Sequence, residues 1–348
     1  MHERIWMRFP NFRSDNLKSK IKNPKWMGLS VIAFVLVVAG AVAQAEQPKK
    51  VARICYLGNT VSNSETYMKP FRERIREMAY IEGQNITIDY RYWEGKVERL
   101  PVLAAEFVSL NCDVILTSGS EAAEAAKKAT KTIPVVMAFG ADAVRRGIVA
   151  DLARPGGNIT GLTSFNVETL GKRLELLKET VPKLARVAFL WSLTSLDAED
   201  EFKEVEAVGR FLRLGLQSLT VKGSDDFEGV FEAASKKRAQ ALLLGTGGFF
   251  GAHQKRIVDL AAKSRLPGIY PNVQYVEAGG LMTYSEDRSE MFRRAAEIVD
   301  KILKGTKPAD IPVERPKKFD FVINLKAAKH IGLTVPPEVL ARANRIIR

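Results

Sequence analysis

The sequence predicts an α/β fold of two Rossmann-like lobes joined by several chain crossings, and three observations carry that expectation. Short β-branched runs alternate with amphipathic stretches from 53 to about 335, the pattern of parallel sheets covered by helices. Some of these runs, VILT and ALLLG among them, are continuously apolar, as strands with both faces covered must be. The series is too long for one open sheet and starts afresh after 165, so two sheets fit it better than one. A chain of 348 residues also exceeds the usual size of a single core.

The first 45 residues read as an address. Arg4, Arg8, Arg13, Lys18, Lys20, Lys22 and Lys25 stand against only Glu3 and Asp15, and an uncharged stretch over 26–45 ends in Ala43-Gln44-Ala45. This is the layout of a secretory signal peptide cleaved near Ala43–Ala45. The uncharged stretch is long enough to span a bilayer, so an uncleaved anchor is the alternative. No cysteine follows the apolar run closely enough to carry a lipid, so a periplasmic location in a double-membraned bacterium is expected.

Lobe one is expected over 51–163 plus about 279–305. Its strands fall at 53–58, 85–93, 113–118, 133–139 and 158–165, with helices at 65–79, 99–110 and 120–130 and a short one at 148–153. A helix over 168–180 carries the chain into lobe two, expected over 164–278 plus about 306–335. Strands there fall at 186–191, 216–221, 240–245 and 268–271, with helices at 198–214, 226–236 and 251–264. A strand at 280–285 and a helix at 289–303 are expected to return to lobe one. The strand at 319–324 crosses again, and 336–348 form a tail.

Composition excludes several classes. With 46% hydrophobic and 27% charged residues, the chain is neither collagen, coiled-coil rod, disordered tail nor multi-span membrane protein. Much of the net charge of +13 belongs to the leader. The other basic clusters (Lys127-Lys128, Arg145-Arg146, Lys236-Lys237-Arg238, Lys317-Lys318) are dispersed among acids, so a solvated surface rather than a nucleic-acid footprint is expected. Cys55 and Cys112 are too few for a disulfide scaffold or a multi-cysteine zinc site. Cys55 reads as an inert buried thiol, and no spacing rule decides whether the two pair. His2, His253 and His330 leave little imidazole for chemistry; no metal is expected. No G-x-G-x-x-G follows the first strand, and phosphate-loop, H-E-x-x-H and G-x-S-x-G motifs are absent, so neither a cofactor nor a catalytic residue is expected.

The strand ends offer short polar groups instead, and ligands of open α/β sheets bind there. In lobe one these are Asn59, Thr60 and Ser62, the run Ser118-Gly119-Ser120, then Phe139, Asp142 and Asn166; in lobe two they are Trp191, Tyr270 and Asn272. Thr117-Ser118-Gly119-Ser120 leads straight into a helix. Ser120 is a good N-cap, and the free N–H groups beyond it suit a carboxylate, although a plain strand–cap–helix junction has the same residues. Asp142 would face an ammonium, or serve as an ordinary turn residue. Trp191, Phe249, Tyr270 and Phe139 would wall an apolar cleft, though each alone also suits a core.

The phrases YLGNTVSN, DVILTSGSEAAEAAKKATKTIPVVMAFGADAV, LARPGGNITGLTSFNVETLGKRLELLKETVPKLARVAFLW and VINLKAAKHIGLTVPPEVLARA resemble the ABC-transporter substrate-binding family of the tryptophan/tyrosine transport-system type. The resemblance covers nearly all of 51–348. It implies a periplasmic-binding-protein fold of type I closing on a small solute, a membrane permease and an ATPase as partners, contact with the membrane only through them, and no catalysis. By position it implies that the Asn59–Ser62 loop, Ser118–Ser120, Asp142 and Asn166 line one side, with Trp191, Tyr270, Pro271 and Asn272 opposite. The segments 142–147 and 245–248 depart from the family, which often has Asp-Pro at each. The expected ligand is an amino acid or a related small organic carboxylate. Rival readings are a membrane-tethered sensing ectodomain and an exported α/β enzyme.

Overall fold

The computed structural model describes residues 51–348, apart from 165 and 196 and the side chains of 166 and 167. The leader lies outside the described residues. In chain order the elements are β1 (Ala52–Gly58), α1 (Val61–Glu77), β2 (Ile86–Tyr92), α2 (Leu100–Ser109), β3 (Val114–Ser118), α3 (Ser120–Ala129), β4 (Val135–Phe139), β5 (Ile159–Gly161), α4 (Asn166–Thr180), β6 (Arg186–Ser192), α5 (Ala198–Phe211), β7 (Gly215–Val221), α6 (Phe227–Lys236), β8 (Ala241–Leu244), α7 (Gly248–Ala252), α8 (Gln254–Lys263), β9 (Gly268–Tyr270), α9 (Val273–Glu277), β10 (Met282–Glu286), α10 (Arg288–Leu303), β11 (Phe319–Asn324), α11 (Leu325–Ile331), α12 (Pro337–Leu340) and β12 (Arg345–Ile347).

These strands form two sheets, ordered β2-β1-β3-β4-β5 and β12-β11-β10-β9-β8-β6-β7. Every pairing is parallel except β10 with β11. Burial follows from position. Central β3 and β8 are buried at every residue, whereas edge strand β7 exposes alternate residues, because helices cover both faces only of the interior strands. Each sheet therefore separates two cores. In the first lobe, Phe71 and Phe292 pack on one face and Phe107 and Leu103 on the other; each fully buried Phe contributes about 2–3 kcal/mol. In the second lobe, Leu170 and Leu174 of α4 take one face and Phe227 and Phe231 of α6 the other.

Several boundaries differ from the sequence reading. The strand expected to return to lobe one, β10, lies in the second sheet between β9 and β11. After β9 only the short α9 intervenes, so the chain re-enters alongside the strand it has just left. Helix α10 alone packs on the first lobe, burying Met291, Phe292, Ala295 and Val299 against Ile54, Tyr56 and Met68. Residues 308–314 also stay with that lobe: Thr160 Oγ1 donates to the Ile311 carbonyl at 2.7 Å, and the Glu314 N–H to the Gly161 carbonyl at 2.9 Å. The expected tail adds α12 and the edge strand β12. The helix expected at 148–153 does not form; Asp151 Oδ1 accepts from the N–H groups of Ala153 and Arg154, a local alternative to helix just before Pro155. Among the described residues the chain thus passes between the lobes between β5 and α4, between β10 and α10, and between Glu314 and β11.

Cys55 of β1 and Cys112, which precedes β3, form a disulfide with their Cα atoms 5.9 Å apart. Cys55 is a cross-link between neighbouring strands and not an isolated thiol. Among the described residues, no helix is long and apolar enough to cross a membrane.

Candidate functional site

Two strand–helix junctions, one per lobe, set the site. β3 ends at Ser118, and Gly119 then caps α3 at φ +102°, a conformation that side-chain-bearing residues rarely adopt. β8 ends at Leu244, and Gly247 caps α7 at φ +121°. Neither glycine supplies a capping side chain, so the first-turn N–H groups are left to other partners. The N-cap is therefore Gly119 and not Ser120. The Ser120 hydroxyl accepts from the Ala141 N–H at 2.7 Å and ties α3 to the chain leaving β4.

Both junctions line one cavity between the lobes, enclosing about 760 Å³ of empty space, part of it open to solvent. The lobes meet directly around it. Asn59, just past β1, accepts from the Gly95 N–H and donates from Nδ2 to the Gly248 carbonyl, each at 2.8 Å. Asn63 Nδ2 donates to the Gly251 carbonyl at 3.1 Å, and the Tyr67 hydroxyl to Gln274 Oε1 at 2.7 Å. Trp93, only 1% exposed, abuts Gly248. Its indole N–H has no partner among the described residues.

The cavity is aromatic on one side and charged on the others. The Arg288 guanidinium lies 4.2 Å above the centroid of Phe139 and 5.3 Å from that of Tyr67, and donates to the Tyr67 hydroxyl at 3.1 Å. That places a stacked cation against the aromatic wall. Asp197 of the second lobe is buried and pairs across the cleft with Arg146 at 3.6 Å and Arg145 at 3.9 Å. Burial pushes its carboxyl above the ordinary range, against the pull of the two arginines. Glu121, in the first turn of α3, is also raised by burial, offset by the backbone N–H groups of Glu121 itself and of Gly248.

Behind the second-lobe junction lies a buried charge layer. Glu201 of α5 is fully buried and accepts from the Thr246 N–H at 3.1 Å and from the Thr246 hydroxyl. Burial pushes its carboxyl up to about 7. The fully buried Arg173 of α4, pushed down to about 10 by burial, donates to the carbonyls of Tyr284 and Pro271. Together they hold Thr246 and Pro271, which line the cavity.

Of the residues read from sequence, Asn59, Ser118, Gly119, Ser120, Phe139 and Asn272 line this cavity. Thr60 is instead the N-cap of α1, its hydroxyl accepting from the Asn63 N–H at 3.3 Å. Ser62 is exposed on α1. Asp142 takes its turn role, accepting from the N–H groups of Val144 and Arg145. Trp191 packs between Phe189 and Phe202 and donates to Ser218 Oγ, so it belongs to the helix-covered face of the sheet. Tyr270 is buried in the core, stacked on Tyr275; it is Tyr275 that reaches the cavity. The Asn166 side chain lies outside the described residues. Sequence reasoning missed Asn63, Tyr67, Trp93, Glu121, Asp197 and Arg288. Of these only Trp93 carried a local signal, a lone indole at a strand end before a Glu-Gly turn.

A family model described as ABC transporter substrate binding protein matches residues 62–347. The chain belongs to that family. It is a family of binding proteins, not of enzymes. A tyrosine-binding protein of Clostridioides difficile (strain R20291) is 25% identical over 267 residues, 76% of each chain. Among solved structures, a conserved domain protein from Vibrio cholerae has a TM-score of 0.80 at 25% identity, covering 85% of this chain and all of that one. An ABC domain from Streptococcus pneumonia in complex with L-Trp has a TM-score of 0.78 at 25% identity, over 85% and 99% of the two chains. The fold is the two-lobe, type I binding-protein architecture.

Proposed function

We propose that this substrate-binding protein works outside the cytoplasm and captures an aromatic α-amino acid between its lobes for delivery to a membrane permease and its ATPase. One observation carries the reading: a cavity between two contacting lobes sets the stacked Arg288–Phe139 pair on one side and the acid Asp197 on another. A zwitterion with a flat apolar body matches that arrangement, its carboxylate towards Arg288, its ammonium towards Asp197, and its ring among Phe139, Tyr67, Trp93 and Tyr275. The names of the relatives support the same class, one a tyrosine-binding protein and one solved with L-Trp. Ligand contacts from both lobes favour the closed form by as much as they exceed those in the open form.

The Cys55–Cys112 disulfide supports an oxidising compartment, and the leader read in 1–45 supports export to the periplasm. Titration calorimetry of residues 46–348 with L-tryptophan, L-tyrosine, L-leucine and L-glutamate tests the reading. It predicts micromolar or tighter binding of the aromatic pair; heat from neither, or a preference for L-glutamate, overturns it.

A further inference from the structure

Trp93 carries a hydrogen-bond donor that the protein itself does not satisfy. The residue follows β2 directly, and its backbone is fixed there: its N–H donates to the Gly58 carbonyl at 3.2 Å, and the Glu94 N–H to the Asn59 carbonyl at 2.7 Å. The side chain is 1% exposed and sits in a core with Leu57, Leu100 and Phe107, none of which has a side-chain acceptor. Its indole nitrogen is buried without a hydrogen-bond partner among the described residues, yet Trp93 lines the cavity between the lobes. The donors beside it are already used: Asn59 and Asn63 donate to the Gly248 and Gly251 carbonyls, and the Tyr67 hydroxyl to Gln274. A buried donor left unmet destabilises the state that buries it, and an indole N–H can only donate.

We propose that Trp93 is a specificity-determining residue whose indole N–H donates to an oxygen carried on the ligand's ring, so that the cleft takes tyrosine in preference to phenylalanine and tryptophan. This rests on the aromatic amino acid reading of the cleft and narrows it. The α-carboxylate and α-ammonium are common to all three ligands and are served by Arg288 and Asp197, so only the ring end tells them apart. Arg288 offers the carboxylate a charge-assisted bond, which leaves the neutral indole donor for a neutral acceptor. The phenol oxygen of tyrosine is one. Phenylalanine brings no acceptor, and the ring of tryptophan brings a second donor. Closure presses the indole against Gly248 and takes water from its edge, so a ring without an acceptor leaves the donor unmet in the bound state.

The test titrates L-tyrosine and L-phenylalanine, which differ by that oxygen alone, into the 46–348 chain and into its Trp93→Phe variant, which keeps an aromatic ring and loses the N–H. Wild type is expected to bind tyrosine at least about tenfold tighter than phenylalanine. Trp93→Phe is expected to bring the two within about threefold, chiefly by weakening tyrosine. Equal affinities in wild type, or an equal loss for both ligands in the variant, overturn the proposal and leave the aromatic reading standing. Heat from neither ligand in wild type overturns the aromatic reading and this proposal with it. Should Trp93→Phe fail to fold, the wild-type indole reports the same contact. Residues 46–348 contain two tryptophans, Trp93 and Trp191, so ¹⁵N-indole spectra hold two signals, and Trp191→Leu assigns them. Saturating tyrosine should move the Trp93 indole proton further downfield than saturating phenylalanine does; equal shifts overturn the proposal.

Discussion

Trp93 of the first lobe fits against the bare Cα of Gly248 in the second so closely that a methyl group at 248 would overlap the six-membered ring of the indole. Gly248 does not have a positive φ, so alanine there is excluded only by the partner lobe. Overpacking of this kind costs about 1–3 kcal/mol, and the two lobes escape it by staying apart. Gly248→Ala should therefore lower ligand affinity by about tenfold or more while moving the melting temperature of the empty protein by less than about 2 °C. Calorimetry and a thermal scan read the two effects separately. Wild-type affinity in the variant would mean that this contact is no part of the bound state.

The ion pairs across the cleft should divide by burial. Arg145 and Asp200 are 2.9 Å apart but some 40% and 43% exposed, so Asp200→Asn should cost less than about 1 kcal/mol of binding. Asp197 and Arg146 are 8% and 10% exposed. Asp197→Asn removes the cavity's second-lobe acid and should cost about tenfold or more in affinity for an amino acid. Titrations of both variants with the same amino acid give the comparison, and equal losses would contradict it.

Stability should fall as pH rises towards neutrality. Glu201 is pushed up to about 7 from an ordinary 4.5 because burial penalises its charged form. The folded state therefore holds this proton more tightly than the unfolded state does. Its contribution is fully present below about 4.5 and is lost as pH rises through about 7, a drop of about 3 kcal/mol. Urea unfolding at pH 5 and pH 8 measures it, and Glu201→Gln should shrink the difference. An identical pH dependence in the variant would place the titrating group elsewhere.

The disulfide closes a loop between residues 57 apart in sequence. Constraining such a loop stabilises by about 4 kcal/mol in the chain-entropy picture. Cys55 and Cys112 are buried at 0% and 5% exposure, so replacing both by alanine keeps the site apolar. The double variant should melt about 10 °C lower and, once folded, bind ligand as wild type does. Differential scanning calorimetry with a parallel titration checks both halves.

What could be read from sequence was what one strand or one junction decides alone. The central strands over 114–118 and 241–244 were legible because burial on both faces forces unbroken apolar runs. Ser118, Gly119 and Ser120 were legible because a glycine between a strand and a helix marks a close approach. Trp191 lies away from the cavity because of strand parity: it shares a face with Phe189, two residues before it, and sits half-buried between Phe189 and Phe202 on the helix-covered side. Tyr270 sits in a strand buried throughout. Arg288 and Asp197 owe their place to how the lobes meet, one just after a crossing and one before α5, and no local pattern encodes that. Trp191→Leu should accordingly lower the melting temperature and leave affinity within about twofold of wild type.

The claim that the lobes close around a captured amino acid is tested most directly by the distance between them. Val102 and Phe211 are 71% and 83% exposed, one on each lobe, and no free cysteine is found among the described residues. Spin labels on Val102→Cys and Phe211→Cys would therefore report lobe separation by pulsed electron paramagnetic resonance. With saturating L-tryptophan or L-tyrosine, the distances should collapse to one narrow, shorter population. Superimposable distributions with and without an amino acid that calorimetry shows to bind would contradict the account.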